Sequence, residues 1–331
     1  MATIDDLEAA LRADLDRATV EVYGDQLQAD GDIRGELIAI DLRIADAGAT
    51  PPLLARRDEL VREWLGSTLP HGRVRFGFVD LDATGADLAA QLRVAFEGSA
   101  AAYVRTVAIV GPPKQITGAI AMIAAQPRPR LVNLVVRQWA ELETPAIQGR
   151  EAGALVRATP HLRTLVLDGR NLFAELPHPG VRELRVSGYD AIASAITDGL
   201  TLAGLVELDF AFHCHLAARK PSPPEQLGHL LRPELVPALV HLDLSRNEPG
   251  YLDPDTLGGT VNIPAFLRDL AIRPQLESLY LPSISTDADV KKINAALVDM
   301  PKLRELTVTR SPAGAELVRK LAHPTATIDL D

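Results

Sequence analysis

One short spacing recurs down the chain and limits what it can fold into more than any other feature. It is Leu-x-x-Leu-x-Leu, with Val, Ile or Phe admitted at the Leu positions. The spacing stands at Phe76-Val79-Leu81, Val104-Val107-Ile109, Leu131-Leu134-Val136, Leu162-Leu165-Leu167 and Val181-Leu184-Val186. It returns at Leu205-Leu208-Phe210, Leu239-Leu242-Leu244, Leu276-Leu279-Leu281 and Leu303-Leu306-Val308, and Ile328-Asp329-Leu330 has the form of one more strand end. Successive starts lie 19 to 37 residues apart. In each triplet the last two apolar residues alternate along a short strand and face one side, while the first anchors the turn into it. Such a strand cannot bury its apolar side alone, so neighbours must stack.

The segments between the triplets carry helical periodicity. Residues 86–96 place apolar side chains at intervals of three and four, and 117–125, 150–158, 286–297 and 312–321 read the same way. Thr286, followed by Asp287 and Asp289, is an expected N-cap with acids in the first turn. Strand–helix units joined by right-handed crossovers give a parallel sheet with helices on its other face. Strands pack more closely than helices, so the expected α/β solenoid curves with its sheet on the concave side and its helices on the convex side. An ordinary α/β fold would show longer apolar strand runs and no common phase. Residues 71–331 are therefore expected to form about nine irregular units.

Composition mainly excludes. Apolar residues make up 47% of the 331 but aromatics only 4%, which suits thin, regular layers of Leu, Val, Ile and Ala. The 34 Lys and Arg against 44 Asp and Glu leave a net charge of −10, which repels phosphate backbones and disfavours nucleic acid as a partner. Cys214 is the single cysteine, so neither an internal disulfide nor a cysteine-rich zinc site is expected. The start of the chain lacks a signal-like apolar core, and no apolar run reaches membrane-spanning length, so a cytoplasmic protein without membrane contact is expected.

The chain resembles the leucine-rich repeat superfamily, and its longer units look like the ribonuclease-inhibitor type. Leu239-Val-His-Leu-Asp-Leu-Ser-Arg-Asn247 carries the fullest match, with Asn247 where that family places a strand-ending asparagine. Other units lack it; Arg170-Asn171 is displaced, and Pro282 or Arg310 stands nearby in later units. The resemblance covers roughly residues 74–331 and implies protein recognition through the concave face.

Residues 1–70 read differently, as helices over 4–15, 20–27, 33–44 and 53–65. Tyr23, Asp25, Leu27, Gly31, Asp32, Arg34, Gly35 and Glu36 resemble a short companion segment that precedes repeat arrays in some bacterial proteins; Gln26 departs from it. A solenoid end exposes an apolar layer, so a helical N-terminal cap ending at Trp64 and Leu65 is the favoured reading over an independent binding role.

Chemistry-bearing motifs are sparse. His213-Cys214-His215 follows the strand at Leu205-Phe210, and alternation puts the two histidines on one face; with His241 they form a candidate metal site for a hydrolase. Gly111-Pro-Pro-Lys-Gln-Ile-Thr-Gly118 is a turn rather than a phosphate cradle, since its prolines remove amide donors. No catalytic residue, metal or cofactor is assigned. The informative surface is the concave one, formed by residues flanking the buried strand positions. Asp168, Glu183, Glu207, Asp209 and Asp243 are expected as an acidic stripe, interrupted by Arg185. Arg137 and His241 share that face, with Trp139, Val166 and Tyr280 as apolar contacts for a partner presenting Lys or Arg. Insertions at 217–237 and 248–262 are expected to rise from one edge beside it. The expected function is a non-catalytic protein-binding scaffold or adaptor. The alternatives are a regulator of an enzyme, an inhibitor or a GTPase-regulating repeat protein, and the hydrolase at the histidines.

Overall fold

Four helices open the chain: α1 (Ile4–Ala13), α2 (Arg17–Ala29), α3 (Ile33–Ala47) and α4 (Pro51–Leu65). Their ends are decided by caps more than by the apolar stripe. Thr3 and Asp6 cap α1 reciprocally, Asp16 accepts from Thr19 N–H to start α2, and Asp32 accepts from Arg34 N–H to start α3. The prolines at 51 and 52 start α4 without a side-chain cap. Hence α2 begins earlier than its apolar spacing indicates, and α1 stops at Asp14, which is extended.

The computed structural model describes residues 2–66, 71–138, 149–169, 178–187, 202–211, 231–247, 263–310 and 314–330. They divide into two compact units, Met1–Val135 with Ala154–Leu162, and Val136–Gly153 with Arg163–Asp331. Among the described residues there are eleven strands and ten α-helices. None of the described helices is long and apolar enough to cross a membrane.

In the first unit the helical lead-in does not stand apart from the strands that follow it. Leu7, Leu11, Val20, Tyr23, Leu27 and Ile38 share a core cluster with Phe78 of strand β2 (Phe78–Thr84). The companion-segment residues explain how. Helices α2 and α3 cross at Gly24 and Gly35, where a Cβ on Gly35 would fall 2.5 Å from Gln28 N and one on Gly24 would fall 2.8 Å from Ile38 Cγ2. Tyr23 is fully buried; its hydroxyl donates to Glu8 Oε1 at 2.9 Å and accepts from Arg34 Nη1 at 2.9 Å. Burial, then the Glu8 charge and hydrogen bond, push the Tyr23 pKa up, so the phenol stays a donor. Arg130 closes on Glu8 with Nε at 2.8 Å from Oε2 and Nη2 at 2.9 Å from Oε1. Asp32 orients Arg34 through Nε and Nη2, and the Arg34 guanidinium lies 4.3 Å from the Tyr103 ring centre, which Trp64 meets edge-on. Arg105 Nη2 donates to the Leu11 carbonyl at 3.3 Å. A buried carboxylate with two guanidiniums and a phenol around it leaves no charge unanswered, which is the condition for burying it at all.

Strand β1 (Gly72–Arg75) was not anticipated from the triplets. It forms an antiparallel hairpin with β2, Arg75 opposite Phe78, so the loop is the pair Phe76-Gly77. Both loop residues have positive φ, 50° and 74°, the primed turn that suits strand twist. Phe76 tolerates this because its ring packs on the core cluster. The triplet anchor at 76 is therefore a turn residue. The outer edge of β1 is answered by side chains: Arg57 Nη2 donates to the Val74 carbonyl, and Asp41 Oδ2 accepts from Phe76 N–H at 2.8 Å. Next come α5 (Leu88–Phe96), β3 (Val104–Gly111), parallel to β2, and α6 (Pro113–Ala124). Strand β4 (Asn133–Gln138) and helix α7 (Gly149–Ala158) are each divided between the two units.

In the second unit β5 (Thr164–Asp168), β6 (Glu183–Ser187), β7 (Glu207–Ala211), β8 (His241–Asp243), β9 (Ser278–Leu281), β10 (Glu305–Val308) and β11 (Thr327–Leu330) lie side by side in chain order, all parallel. Helices α8 (Ile263–Asp269), α9 (Asp287–Leu297) and α10 (Gly314–Val318) fall between the later strands, and Thr286 caps α9 through Asp289 N–H as expected. A single backbone step repeats at the entries of β6 to β10. The carbonyl of Arg163 accepts from the N–H groups of Arg182 and Glu183, Arg182 from Val206 and Glu207, and Val206 from Val240 and His241. Val240 then accepts from Glu277 and Ser278, and Glu277 from Arg304 and Glu305. The first apolar residue of each triplet is likewise held by a turn, with Leu205, Leu239, Leu276 and Leu303 donating to the carbonyl three residues earlier. The triplet side chains point into the core: Leu165, Leu167, Leu184, Val186, Leu242 and Leu279 are all buried.

The crossing of α2 and α3 gives a direct test. Gly35→Ala must drive a Cβ into the α2 backbone and is expected to cost about 1–3 kcal/mol, lowering the thermal midpoint. Gly118→Ala meets nothing within 4 Å at an exposed position of α6 and is expected to stabilise by about 0.5–1 kcal/mol. Thermal denaturation of the two variants should move in opposite directions; equal shifts would contradict the described crossing.

Candidate functional site

Strand alternation in the second unit puts two cross-strand rows of mostly polar side chains on the face opposite the buried triplets. One row runs Thr164, Glu183, Glu207, His241, Ser278, Glu305, Thr327; the other runs Val166, Arg185, Asp209, Asp243, Tyr280, Thr307, Asp329. Neighbours in a row sit about 4.8 Å apart, because that is the strand spacing. The expected residues Val166, Asp168, Glu183, Arg185, Glu207, Asp209, His241, Asp243 and Tyr280 are thus brought onto one face. Arg137 is exposed on β4. Trp139 lies outside the described residues, as do His213, Cys214 and His215, and the segments 212–230 and 248–262 that contain most of the expected insertions.

Within the acidic stripe expected from sequence, interrupted by Arg185, Asp209 is already answered by basic side chains. Only 4% of that residue is accessible, and two arginines hold it: Arg185 through Nε to Oδ2, and Arg246 with Nε 2.7 Å and Nη2 2.6 Å from Oδ1. Arg185 does not merely interrupt the acids; with Arg246 it neutralises the middle one. Arg246 lies 37 residues beyond Asp209 and was missed, since nothing local in Leu244-Ser-Arg-Asn247 says which carboxylate its side chain reaches. Its neighbour Asn247 is buried and donates from Nδ2 to the carbonyls of Phe210 and Leu244 at 2.7 and 2.8 Å, so this stretch is pinned to β7 and β8 by side chains. The asparagine of the fullest repeat match therefore has a structural duty.

The remaining acids have milder partners. Asp168 Oδ1 accepts from Ser187 Oγ at 2.6 Å, Glu183 Oε2 from Thr164 Oγ1 at 3.0 Å, and Asp243 Oδ1 from Ser245 N–H at 2.7 Å. Tyr280 donates to Glu305 Oε1 at 2.9 Å, and partial burial together with that acceptor pushes its phenol up to about 12. Glu207 is the least satisfied. Burial and the charges of Glu183, Asp209 and Asp243 push its carboxyl above the ordinary value, with His241 alone opposing. No described Lys or Arg forms an ion pair with Glu183, Glu207, Asp243 or Glu305.

His241, placed at sequence level in a histidine cluster, points its Nδ1 at Ser278 Oγ, 2.6 Å away. Among the described residues no group of three or more His, Cys, Asp or Glu is placed to hold a metal ion.

No family model matches the chain, and no curated protein matches it. Among solved structures, a crystal structure of a protein from Bacteroides fragilis is similar, with a TM-score of 0.54 and 14% identity, covering 74% of this chain and 69% of that one. At that identity the likeness is one of fold.

The two central acids should respond oppositely to neutralisation. Asp209→Asn leaves two guanidiniums without their carboxylate and is expected to cost about 2 kcal/mol of stability at neutral pH. Glu207→Gln removes a charge that its surroundings disfavour, and is expected to leave stability unchanged or slightly raised. For wild type the sign follows: a carboxyl whose folded pKa lies above its unfolded value destabilises at neutral pH, and that cost falls away as pH drops through the window just above the ordinary Glu range. Denaturant melts at pH 7 and pH 5 compare the variants; a large loss in Glu207→Gln at pH 7 would refute this account of its environment.

Proposed function

We propose that this chain is a non-catalytic leucine-rich repeat protein, with ribonuclease-inhibitor-like units, that binds a protein partner bearing Lys or Arg on the open sheet face of its second unit. The observation that carries the reading is that Glu183, Glu207, Asp243 and Glu305 stand on strands β6, β7, β8 and β10 without a basic partner, while Arg185 and Arg246 are committed to Asp209. Carboxylates a few ångströms apart repel one another, and a partner's cations relieve that repulsion on docking. Val166 and Tyr280 add apolar area between the charges, which is the mixture that hot spots favour. Side-chain networks fix this face before anything binds, so little ordering cost remains at association.

In this reading the helices α1–α4 serve as the N-terminal cap of the array, held by the Glu8–Arg130–Tyr23–Arg34 network. A scaffold or adaptor role is what the repeat resemblance suggests for such a face. The net charge of −10 disfavours a nucleic-acid partner.

Affinity capture from the native cell tests the face. Wild-type protein is compared with the double variant Glu207→Lys/Asp243→Lys and with Lys291→Glu, a control at an exposed position of α9. Partners recovered by wild type and by the control should be lost or reduced at least about tenfold with the double variant, and more so at low salt. Recovery unaffected by the double variant would exclude this face as the binding surface.

A further inference from the structure

Strand β11 pairs with β10 on one side, and among the described residues no strand lies on its other side. The parallel ladder divides its main chain. Thr327 N–H donates to the Arg304 carbonyl at 2.8 Å, so Thr327 and Asp329 turn their main-chain groups toward β10, while Ile328 and Leu330 turn theirs outward. The apolar side of this layer is uncovered as well. Leu279, Leu281, Leu306 and Val308 are buried, whereas Ile328 and Leu330, in the same places on β11, are half-buried, as is Leu317 of α10. The edge of β1 is treated in the opposite way, with Arg57 and Asp41 on its main-chain groups. A second copy bringing its β11 to β1 meets occupied groups there; brought to another β11, it meets an open edge.

We infer that two copies of this chain associate through β11, antiparallel about a two-fold axis passing through Ile328. Identical edges related by a two-fold run antiparallel and close as a pair. Directly opposed residues share a face, so alternation admits a register centred on Asp329 or one centred on Ile328. Centred on Asp329, the two Asp329 carboxylates stand opposite one another, with Cα atoms about 4.5 Å apart, and repel. Centred on Ile328, Ile328 meets its counterpart, Leu330 meets Ala326, and Asp329 meets the Thr327 hydroxyl. The outward N–H and carbonyl of each Ile328 then bond across the axis, and each Leu330 N–H reaches an Ala326 carbonyl. The Ala326 N–H is already given to His323 Nδ1 at 3.1 Å, so the pairing leaves no donor there unanswered. The half-buried Ile328 and Leu330 of both copies are covered in the same step, which supplies the apolar gain. An unrelated strand must bring both an apolar alternation and an uncharged residue opposite Asp329; a second copy carries them in its own β11.

Sedimentation of the full chain between about 1 and 300 μM tests the association, at about 150 mM salt so that like charge on the two copies is screened. A reversible equilibrium between monomer and dimer, with no larger species, is expected. Ile328→Pro removes an outward N–H that the pairing with β10 does not use, and should weaken the dimer at least about tenfold. The register is read by crosslinking in a Cys214→Ser background, with Thr327→Cys and Asp329→Cys proteins oxidised separately and as a mixture. About the Ile328 axis these two positions oppose each other as a non-hydrogen-bonded pair, Cα atoms about 4.5 Å apart and within disulfide reach. The mixture should therefore give a mixed disulfide in good yield and each variant alone little. That result decides the case even where Ile328→Pro fails to fold. A monomer across the whole range, growth beyond dimers, a dimer undiminished in folded Ile328→Pro, or efficient self-linking of Asp329→Cys overturns the inference.

Discussion

Strands β6 to β10 each begin where one carbonyl of the preceding turn accepts two successive N–H groups from the next turn. That shared acceptor fixes the phase between neighbours, because a parallel strand that slipped by one residue would turn its Leu side chains to solvent. From this backbone step the rest follows: the triplets meet in layers, and everything between them is pushed to the opposite face. The polar rows owe their alignment to the same step. Residues as far apart in sequence as Glu183 and Glu305 become members of one line because each occupies the same place after its shared carbonyl. The uneven spacing of the triplets does not disturb that line, since extra residues leave the strand after its register has been set.

The first unit is stabilised by a different means. Its helices meet the strands around a buried carboxylate, Glu8, and the network works only when complete: the phenol, the two guanidiniums and the acid satisfy one another. Removing a single member would strand a charge away from water, which costs more than the network contributes net. The network joins a tyrosine and an arginine eleven residues apart, each with a glycine beside it, at the crossing of α2 and α3.

Legibility in the sequence followed the range of the interactions. The triplets were readable because they depend on spacings of three and two within one strand, and so was the Thr286 cap, which reaches three residues. The hairpin strand β1 was hidden because Val74 is its one buried apolar residue and its edge is satisfied by Arg57 and Asp41, both distant in sequence. At the candidate site, membership of the face was readable from alternation alone. What could not be read was which charges cancel. Asp209 looks like its neighbours as a letter, yet Arg246, 37 residues away, makes it a neutralised and buried group while Glu207 stays unanswered. Alternation tells where a side chain points; it says nothing about whom it meets there.

The hairpin edge carries one more consequence. A terminal strand with free main-chain groups is a template on which another polypeptide can lay itself down. Here Val74 offers its carbonyl to Arg57, and Phe76 offers its amide to Asp41, so an incoming strand finds those positions occupied. Main-chain pairing at those two positions is thereby blocked by two ionic side chains. That protection is tied to an ion pair, Arg57 with Asp41, whose members lie on separate helices and would part together if the lead-in loosened.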